Sequence, residues 1–173
     1  MLPPPSEVRA RWAEGHPELD TSPMEVVALL KRINALLGLA LEPLYQGGRL
    51  TVPEVDLLIT LRHARTPVIA RHLADHHGLS RAAVSKTLAK LESRGHIVRE
   101  PSPNDGRAAL VTITPEGAAA IDDFFPHQLR IEAELLARLG GERAHVLRSL
   151  GLLARTLEEG VSGTARPGSG DFA

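Results

Sequence analysis

The sequence predicts a mainly α fold of the α+β kind, with long helices at both ends and a compact middle of short helices and one β-hairpin. Three observations carry this. Apolar residues recur at helical spacing from Pro23 to Tyr45 and again from Pro115 to Leu157. Strand-like alternation is confined to two short runs near residue 100, and Ser, Thr, Pro and Gly stand where helices should start and stop.

Taken in order, Met1 to Pro5 is a Pro-rich arm expected to fray, and Ser6 is placed to cap a short helix that carries Trp12 and stops at Gly15. Ser22, Pro23 and Glu25 start a second helix, with Pro at its first position and an acid in its first turn. That helix runs to about Tyr45, with a kink expected at Pro43. Val26, Leu30, Ile33, Leu37, Leu41 and Leu44 form one apolar stripe; Leu29, Leu36, Leu39 and Ala40 form a second. A helix apolar on more than one face needs more than one neighbour.

The middle is read as a helix over Pro53 to His63, a second opened by Thr66 and Pro67 and ending near Gly78, and a third capped by Ser80 and stopped at Gly95. His96 to Glu100 and Ala108 to Thr114 read as strands, joined by a turn-rich tip from Pro101 to Arg107. Helix, helix, helix, strand, wing, strand is the order of a winged helix-turn-helix. Beyond it lie a helix from Pro115 to about Leu139 and, after Gly140 and Gly141, a helix whose Val146, Leu150, Leu153 and Leu157 are spaced like a heptad seam. Surplus apolar faces on the first and last long helices predict pairing between two copies of the chain. The expected organisation is an arm and short extra helix over 1–21, a dimerisation helix over 22–50, the winged helix-turn-helix over 51–114, C-terminal dimerisation helices over 115–159 and a flexible tail over 160–173.

Composition narrows the chemistry. The 173 residues suffice for one domain with appended helices. There is no cysteine, which excludes disulfides, zinc ribbons, iron–sulfur clusters and thiol redox sensing. No apolar run is long enough to span a bilayer and residues 1–7 lack the pattern of a signal peptide, so a soluble, cytoplasmic protein with no membrane partner is expected. No phosphate loop, nucleophile elbow or His-Glu-x-x-His motif is present, and an enzyme is not expected; nor is a cofactor.

The net charge of −1 looks indifferent to nucleic acid, but it is unevenly distributed. Arg62 to Arg107 holds nine basic residues and four acids, a balance of +5, leaving −6 for the rest. A basic module on an acidic frame fits a nucleic-acid partner. Duplex DNA is favoured over single strands, because Thr51 to Thr114 contains no aromatic side chain for bases to stack on. On the third helix of the module, Val84, Leu88 and Leu91 should face inward, which turns Arg81, Ala82, Ser85 and Lys86 outward at the end where a recognition helix meets base edges. Thr66 and Ser80, as caps, would sit beside amides suited to phosphate oxygens. At the tip, Asp105 would hold Arg107 extended for a narrow minor groove. The other reading of such a module, a surface for protein contact, predicts an apolar outward face instead.

These residues carry a resemblance. The helix-turn-helix followed by Leu91-Glu92-Ser93-Arg94-Gly95, then Asp105-Gly106-Arg107, then Val111-Thr112-Ile113-Thr114-Pro115-Glu116-Gly117, resembles the MarR family of bacterial regulators over roughly Met24 to Glu158, with Ile113 in place of the usual Leu. The resemblance implies a homodimer joined by its terminal helices, binding a pseudopalindromic operator and usually repressing. The extra helix with Trp12 is similar to a smaller, urate-responsive or PecS-like branch. There, by position, Trp12, Asp56 and Arg99 match residues implicated in binding an anionic aromatic effector. Thr87 stands where a further arginine is expected, which counts against urate itself but not against a phenolic or carboxylate ligand. Trp12 offers a stacking face, Arg99 a charge partner, and Asp56 an acceptor on a stripe with Thr60 and His63. The alternative effector is a metal, for which His72 and His76 form an i, i+4 pair near His63, Asp75 and His77; no metal ligand is assigned.

Overall fold

The structure, a computed structural model, describes residues 3–103 and 105–164, with the backbone alone at 105–107 and 162–164. The elements run α1 Pro5–Gly15, α2 Pro23–Gln46, α3 Val52–Arg62, β1 Val68–Ile69, α4 Ala70–His77, α5 Arg81–Ser93, β2 Ile97–Ser102, β3 Asp105–Ile113, α6 Pro115–Ala137 and α7 Arg143–Thr164, the last preceded by a 3-10 turn at Gly140–Glu142. The described residues fall into two compact units divided between residues 131 and 132. The fold is mainly helical with a small antiparallel sheet, as the winged helix-turn-helix pattern predicts. Among the described residues no helix is long and apolar enough to cross a membrane.

The first unit is built around α3, where Val55, Leu57, Leu58 and Leu61 are all buried. Its apolar positions cover more than one side, so other elements close round it. Leu73 and Ala74 of α4, Val84, Leu88 and Leu91 of α5, Ile97 of β2, Val111 of β3 and Ile121 of α6 complete one continuous core. Each large aliphatic side chain buried there stabilises the fold by about 1.5–3 kcal/mol.

The sheet has the order β1-β3-β2, antiparallel throughout. β2 and β3 pair from Ile97 with Ile113 to Pro101 with Ala109, and the register shifts between Pro101 and Ser102. The two strands therefore extend into the segment expected to be hairpin tip. On the other edge of β3, Val68 pairs with Val111 and Ile69 with Leu110. That pairing corrects the expected helix start at Thr66. The extended backbone of Ile69 precedes α4, and Thr66 and Pro67 lead into a strand rather than a helix. Local cap chemistry at Thr66-Pro67 was available, but the backbone groups of residues 68–69 are satisfied by β3 instead.

Other starts differ in detail. Ser6 lies inside α1, because Pro5 takes the first position, where a missing N–H costs nothing. α2 begins at Pro23 as expected, without a side-chain cap from Ser22, and continues as one helix through Pro43 to Gln46. Gly78 closes α4 with φ +61 and Gly95 follows α5 with φ +72, both in the left-handed region.

In α2 no residue is buried, and Val26, Val27, Leu29, Ile33, Leu36 and Leu39 are exposed. In the second unit, Leu135 and Leu136 at the end of α6, and Leu147, Leu150, Leu152 and Leu157 of α7, are exposed as well. α7 runs to Thr164, past the boundary expected at Glu159. Glycine inside a helix costs about 1 kcal/mol relative to alanine, which Gly160 and Gly163 do not turn into a stop.

Candidate nucleic-acid interface

The helix pair α4 and α5 is joined by Gly78, Leu79 and Ser80. The tight turn depends on Gly78, whose N–H donates to Asp75 while that of Leu79 donates to Ala74 at 3.0 Å. Ser80 then starts α5: its Oγ accepts from the Ala83 N–H at 3.1 Å. With Ala83 capped, the Arg81 and Ala82 amides remain at the open end of the helix.

α5 is sharply two-sided. Val84, Leu88 and Leu91 are no more than 1 % exposed, whereas Arg81, Ala82, Ser85 and Lys86 face solvent together. The structure thus brings these four predicted residues, with Ser80, onto one surface. Thr66 is not on a helix start and does not join them by the route expected of it.

Beside that surface is a cleft of about 360 Å³ between α5, the start of α4 and the two long strands. Its floor is apolar, from Ile69, Val84 and Leu88, and Arg71, Arg81 and Arg99 stand round it with Ser85. Arg99 is held from behind by Glu92: Nε donates to Oε2 at 2.9 Å and Nη2 makes a second, shorter contact to the same oxygen. The hydrogen bond from Arg99 keeps the Glu92 carboxyl below its usual range. This pair ties β2 to α5, so the wing and the helix bearing Arg81 and Ser85 are fastened to each other. Arg71 was not singled out by sequence; a lone arginine in the first turn of a short helix carries no motif.

At the wing, Asp105, Gly106 and Arg107 belong to the backbone of β3. The expected pairing of the Asp105 carboxylate with the Arg107 guanidinium concerns side chains that lie outside the described residues.

The three predicted ligand residues are not brought into one cavity among the described residues. Trp12 is exposed and stacks on His16 with ring centroids 5.1 Å apart, beside a shallow depression lined by Arg11 and Gly15. Arg99 lines the cleft beside α5. Asp56 is half-buried on α3, and its titration is linked to His77 of α4 rather than to His63. Thr60 Oγ1 donates to the Asp56 carbonyl at 3.2 Å and lies 3.0 Å from His77 Nε2. Burial pushes the Asp56 carboxyl up, opposed by His77, and pushes the His77 imidazole down, reinforced by His76. The sequence spacing of Asp56, Thr60 and His63 put them on one stripe but could not show which element would pack over it.

For a metal, His72 lies against Arg71 and His76 meets the His77 ring edge-on at 5.0 Å. Among the described residues no group of three or more His, Asp or Glu side chains converges as a metal site.

Two further contacts join α3 to its surroundings. Arg62 forms a two-pronged ion pair with Asp122 of α6, at 2.9 Å for both the Nε and the Nη2 contacts, and Glu54 is bonded to Arg94 at the end of α5 at 3.2 Å. Neither was expected, although Thr51-x-x-Glu54 is a capping-box pattern visible in the sequence.

Residues 50–108 match the MarR family model. The chain is 27% identical to the HTH-type transcriptional regulator PecS of Dickeya dadantii over 147 residues, covering 84% of this chain and 89% of PecS. Among solved structures it is similar to Sco3205 of Streptomyces coelicolor, a MarR family regulator solved in complex with DNA. That likeness has a TM-score of 0.70 and 23% identity, covering 90% of this chain and 95% of that one. PcaV of the same organism, solved with its natural ligand, gives a TM-score of 0.65 at 22% identity, covering 75% and 89%.

Proposed function

The chain carries a MarR family domain over residues 50–108, and from that premise we propose that it is a cytoplasmic, homodimeric, sequence-specific regulator that binds duplex DNA and represses until a small aromatic anion releases it. The observation that carries the reading is the division of α5, one side sealed in the core and the other presenting Arg81, Ala82, Ser85 and Lys86. An apolar outward face, as protein contact requires, is not what α5 presents. The relatives compared above are named as regulators rather than enzymes.

In this reading α5 of each protomer enters a major groove, Ser80 to Ala82 and Arg71 receive phosphate oxygens, and Arg107 reaches from the wing into the minor groove. The exposed leucines of α2 and α7 support dimerisation, since apolar surface on that scale is normally covered. Two protomers place their α5 helices one turn of DNA apart on a pseudopalindrome. For the effector, the three-arginine cleft beside α5 supplies positive charge over an apolar floor, with Arg99 already oriented by Glu92. An aromatic carboxylate or phenolate held there occupies the space beside Ser85 and competes with DNA.

The test is a gel-shift series against duplex captured from the protein's own genome. Binding should weaken steeply with salt, and Arg107→Ala should weaken it further. A variant that matches the parent at every salt concentration would sink the role given to the wing. Titration of urate and hydroxybenzoates distinguishes the effector sites: operator release with quenched Trp12 emission places the ligand at Trp12, and release with unchanged emission places it beside Arg99. No release by any of them overturns the anion-responsive part of the proposal.

A further inference from the structure

We propose that Glu54 is a positioning residue for DNA recognition: acting through Arg94, it fixes the C-terminal end of α5 to the junction between α2 and α3 and so sets the angle at which α5 meets DNA. The proposal rests on the reading of the chain as a DNA-binding regulator.

Glu54 is fully buried, whereas its ionic partner Arg94 is 44% exposed. Glu54 Oε2 accepts from the Thr51 N–H at 2.8 Å and from Arg94 Nη1 at 3.2 Å. The same Nη1 donates to the Arg49 carbonyl at 2.8 Å. One carboxylate oxygen and one guanidinium nitrogen therefore tie together three backbone points: the loop after α2, the start of α3 and the cap residue of α5. Glu54 Oε1 is buried with no hydrogen-bond partner among the described residues.

Capping explains only part of this arrangement: the box with Thr51 accounts for the bond from the Thr51 N–H, but not for the complete burial of the carboxylate or for its bond to Arg94. Burying a carboxylate is costly, and a buried ion pair is commonly no more stabilising than apolar residues of the same volume. What the pair supplies is direction. Val84, Leu88 and Leu91 hold α5 by apolar contact along one side, which is non-directional, and the Glu92–Arg99 pair ties it to β2; neither fixes it to the junction between α2 and α3. The Glu54–Arg94–Arg49 bonds have fixed geometry, and they act at the opposite end of α5 from Arg81 and Ser85. With 13 residues α5 is about 20 Å long, so a tilt of about 5° at Arg94 displaces the reading end by about 2 Å. That is enough to break a base contact while leaving the core packed. Because Arg49 lies just past Gly47 and Gly48 at the end of α2, the loop leading out of that helix is one of the points to which α5 is tied.

The experiment compares the full-length parent with Glu54→Gln and with Arg94→Lys. The first keeps the volume and the Thr51 hydrogen bond but loses the charge; the second keeps the charge on a shorter side chain, whose ammonium stops one bond short of the nitrogen that reaches both Glu54 and the Arg49 carbonyl. Affinity is measured for duplex that the parent has captured from genomic fragments and for sheared heterologous duplex, across a salt series and beside thermal melts. In Glu54→Gln a neutral amide is easier to bury, so the melting temperature should hold or rise. The ratio of selected to heterologous affinity should nevertheless fall at least tenfold, with the salt slope unchanged. Arg94→Lys should lose the same ratio, and it carries the test alone if Glu54→Gln does not fold. The parental ratio in either folded variant overturns the proposal, as does a loss of both affinities in step with a lowered melting temperature. If the parent binds no duplex at all, it is the functional reading that fails, a result distinct from either of these.

Discussion

Gly117 in the first turn of α6 lies directly against the backbone carbonyl of His96: a Cβ at Gly117 would sit 2.0 Å from that oxygen. Thr114 makes the joint. Its N–H donates to the His96 carbonyl at 3.0 Å, its Oγ1 donates to the Gly95 carbonyl at 2.6 Å, and the same oxygen accepts from the Gly117 N–H at 3.0 Å. The end of α5, the start of β2 and the start of α6 are thereby fastened at one point. Gly117→Ala forces backbone apart there and should cost about 1–3 kcal/mol or more in urea unfolding. A parental midpoint would show that the joint gives way freely.

The Ser80 cap is a second, separable contribution. Ser80→Ala removes the acceptor for the Ala83 N–H and should cost about 1 kcal/mol, whereas Ser80→Asn should retain most of the parental stability. Equal urea midpoints for the Ala and Asn variants would remove the cap from the account of how α5 starts.

On the solvent side of α5, Arg81→Ala and Lys86→Ala should leave the melting temperature within about 2 °C of the parent, as surface changes away from special features do. If either side chain contacts phosphate, its removal lowers the slope of log affinity against log salt by about 1; if it contacts a base edge, selectivity falls instead. A variant with both quantities unchanged has no contact with DNA at that position.

His77 gives the fold a pH dependence of definite sign. Its folded-state pKa lies below the ordinary value of about 6.5, because burial and His76 disfavour the charged ring. The unfolded chain therefore binds the proton first as pH falls. The stability associated with neutral His77 is fully present above about pH 6.5 and is lost as pH falls through the folded-state pKa. Asp56 acts in the opposite sense at more acid pH, since its raised carboxyl recovers its proton first in the folded state. Thermal melts between pH 7.5 and 5.5 should fall more steeply for the parent than for His77→Gln. Parallel curves would mean that other groups set the acid limit.

The apolar face of α2 predicts an association equilibrium. Leu29→Lys with Leu39→Lys places two charges on residues that are 63% and 65% exposed in the single chain. If that face is covered by a second copy, sedimentation should shift from a dimer toward the 18.6 kDa chain. An unchanged mass would place the contact elsewhere.

Much of the middle of the fold was legible because its signals are local. Ser80 before Arg81, Gly95 after Arg94, and the 4-and-3 spacing of Val84, Leu88 and Leu91 each act within one or two turns, and the structure follows them. β1 was not legible, because Thr66-Pro67 satisfies the local rules for a helix start. Its strand identity comes from Val111 and Leu110, more than 40 residues away in sequence. The site divides in the same way. The exposed residues of α5 followed from helical spacing, whereas Arg71 and Arg99 meet round one cleft only through the path of the sheet. Glu54 was hidden for a different reason: a capping box announces a helix start but says nothing of whether the glutamate will be buried or what will reach it.

The two sides of α5 also answer to different pressures over evolutionary time. Val84, Leu88 and Leu91 hold the helix in the core, while the side chains of Arg81, Ala82, Ser85 and Lys86 face away from it. Substitution on the outer side is nearly free of folding cost, and substitution on the inner side is not. If α5 reads DNA as proposed, a lineage can exchange one target sequence for another, residue by residue, without passing through an unfolded intermediate; what it cannot easily change is the scaffold that presents the helix.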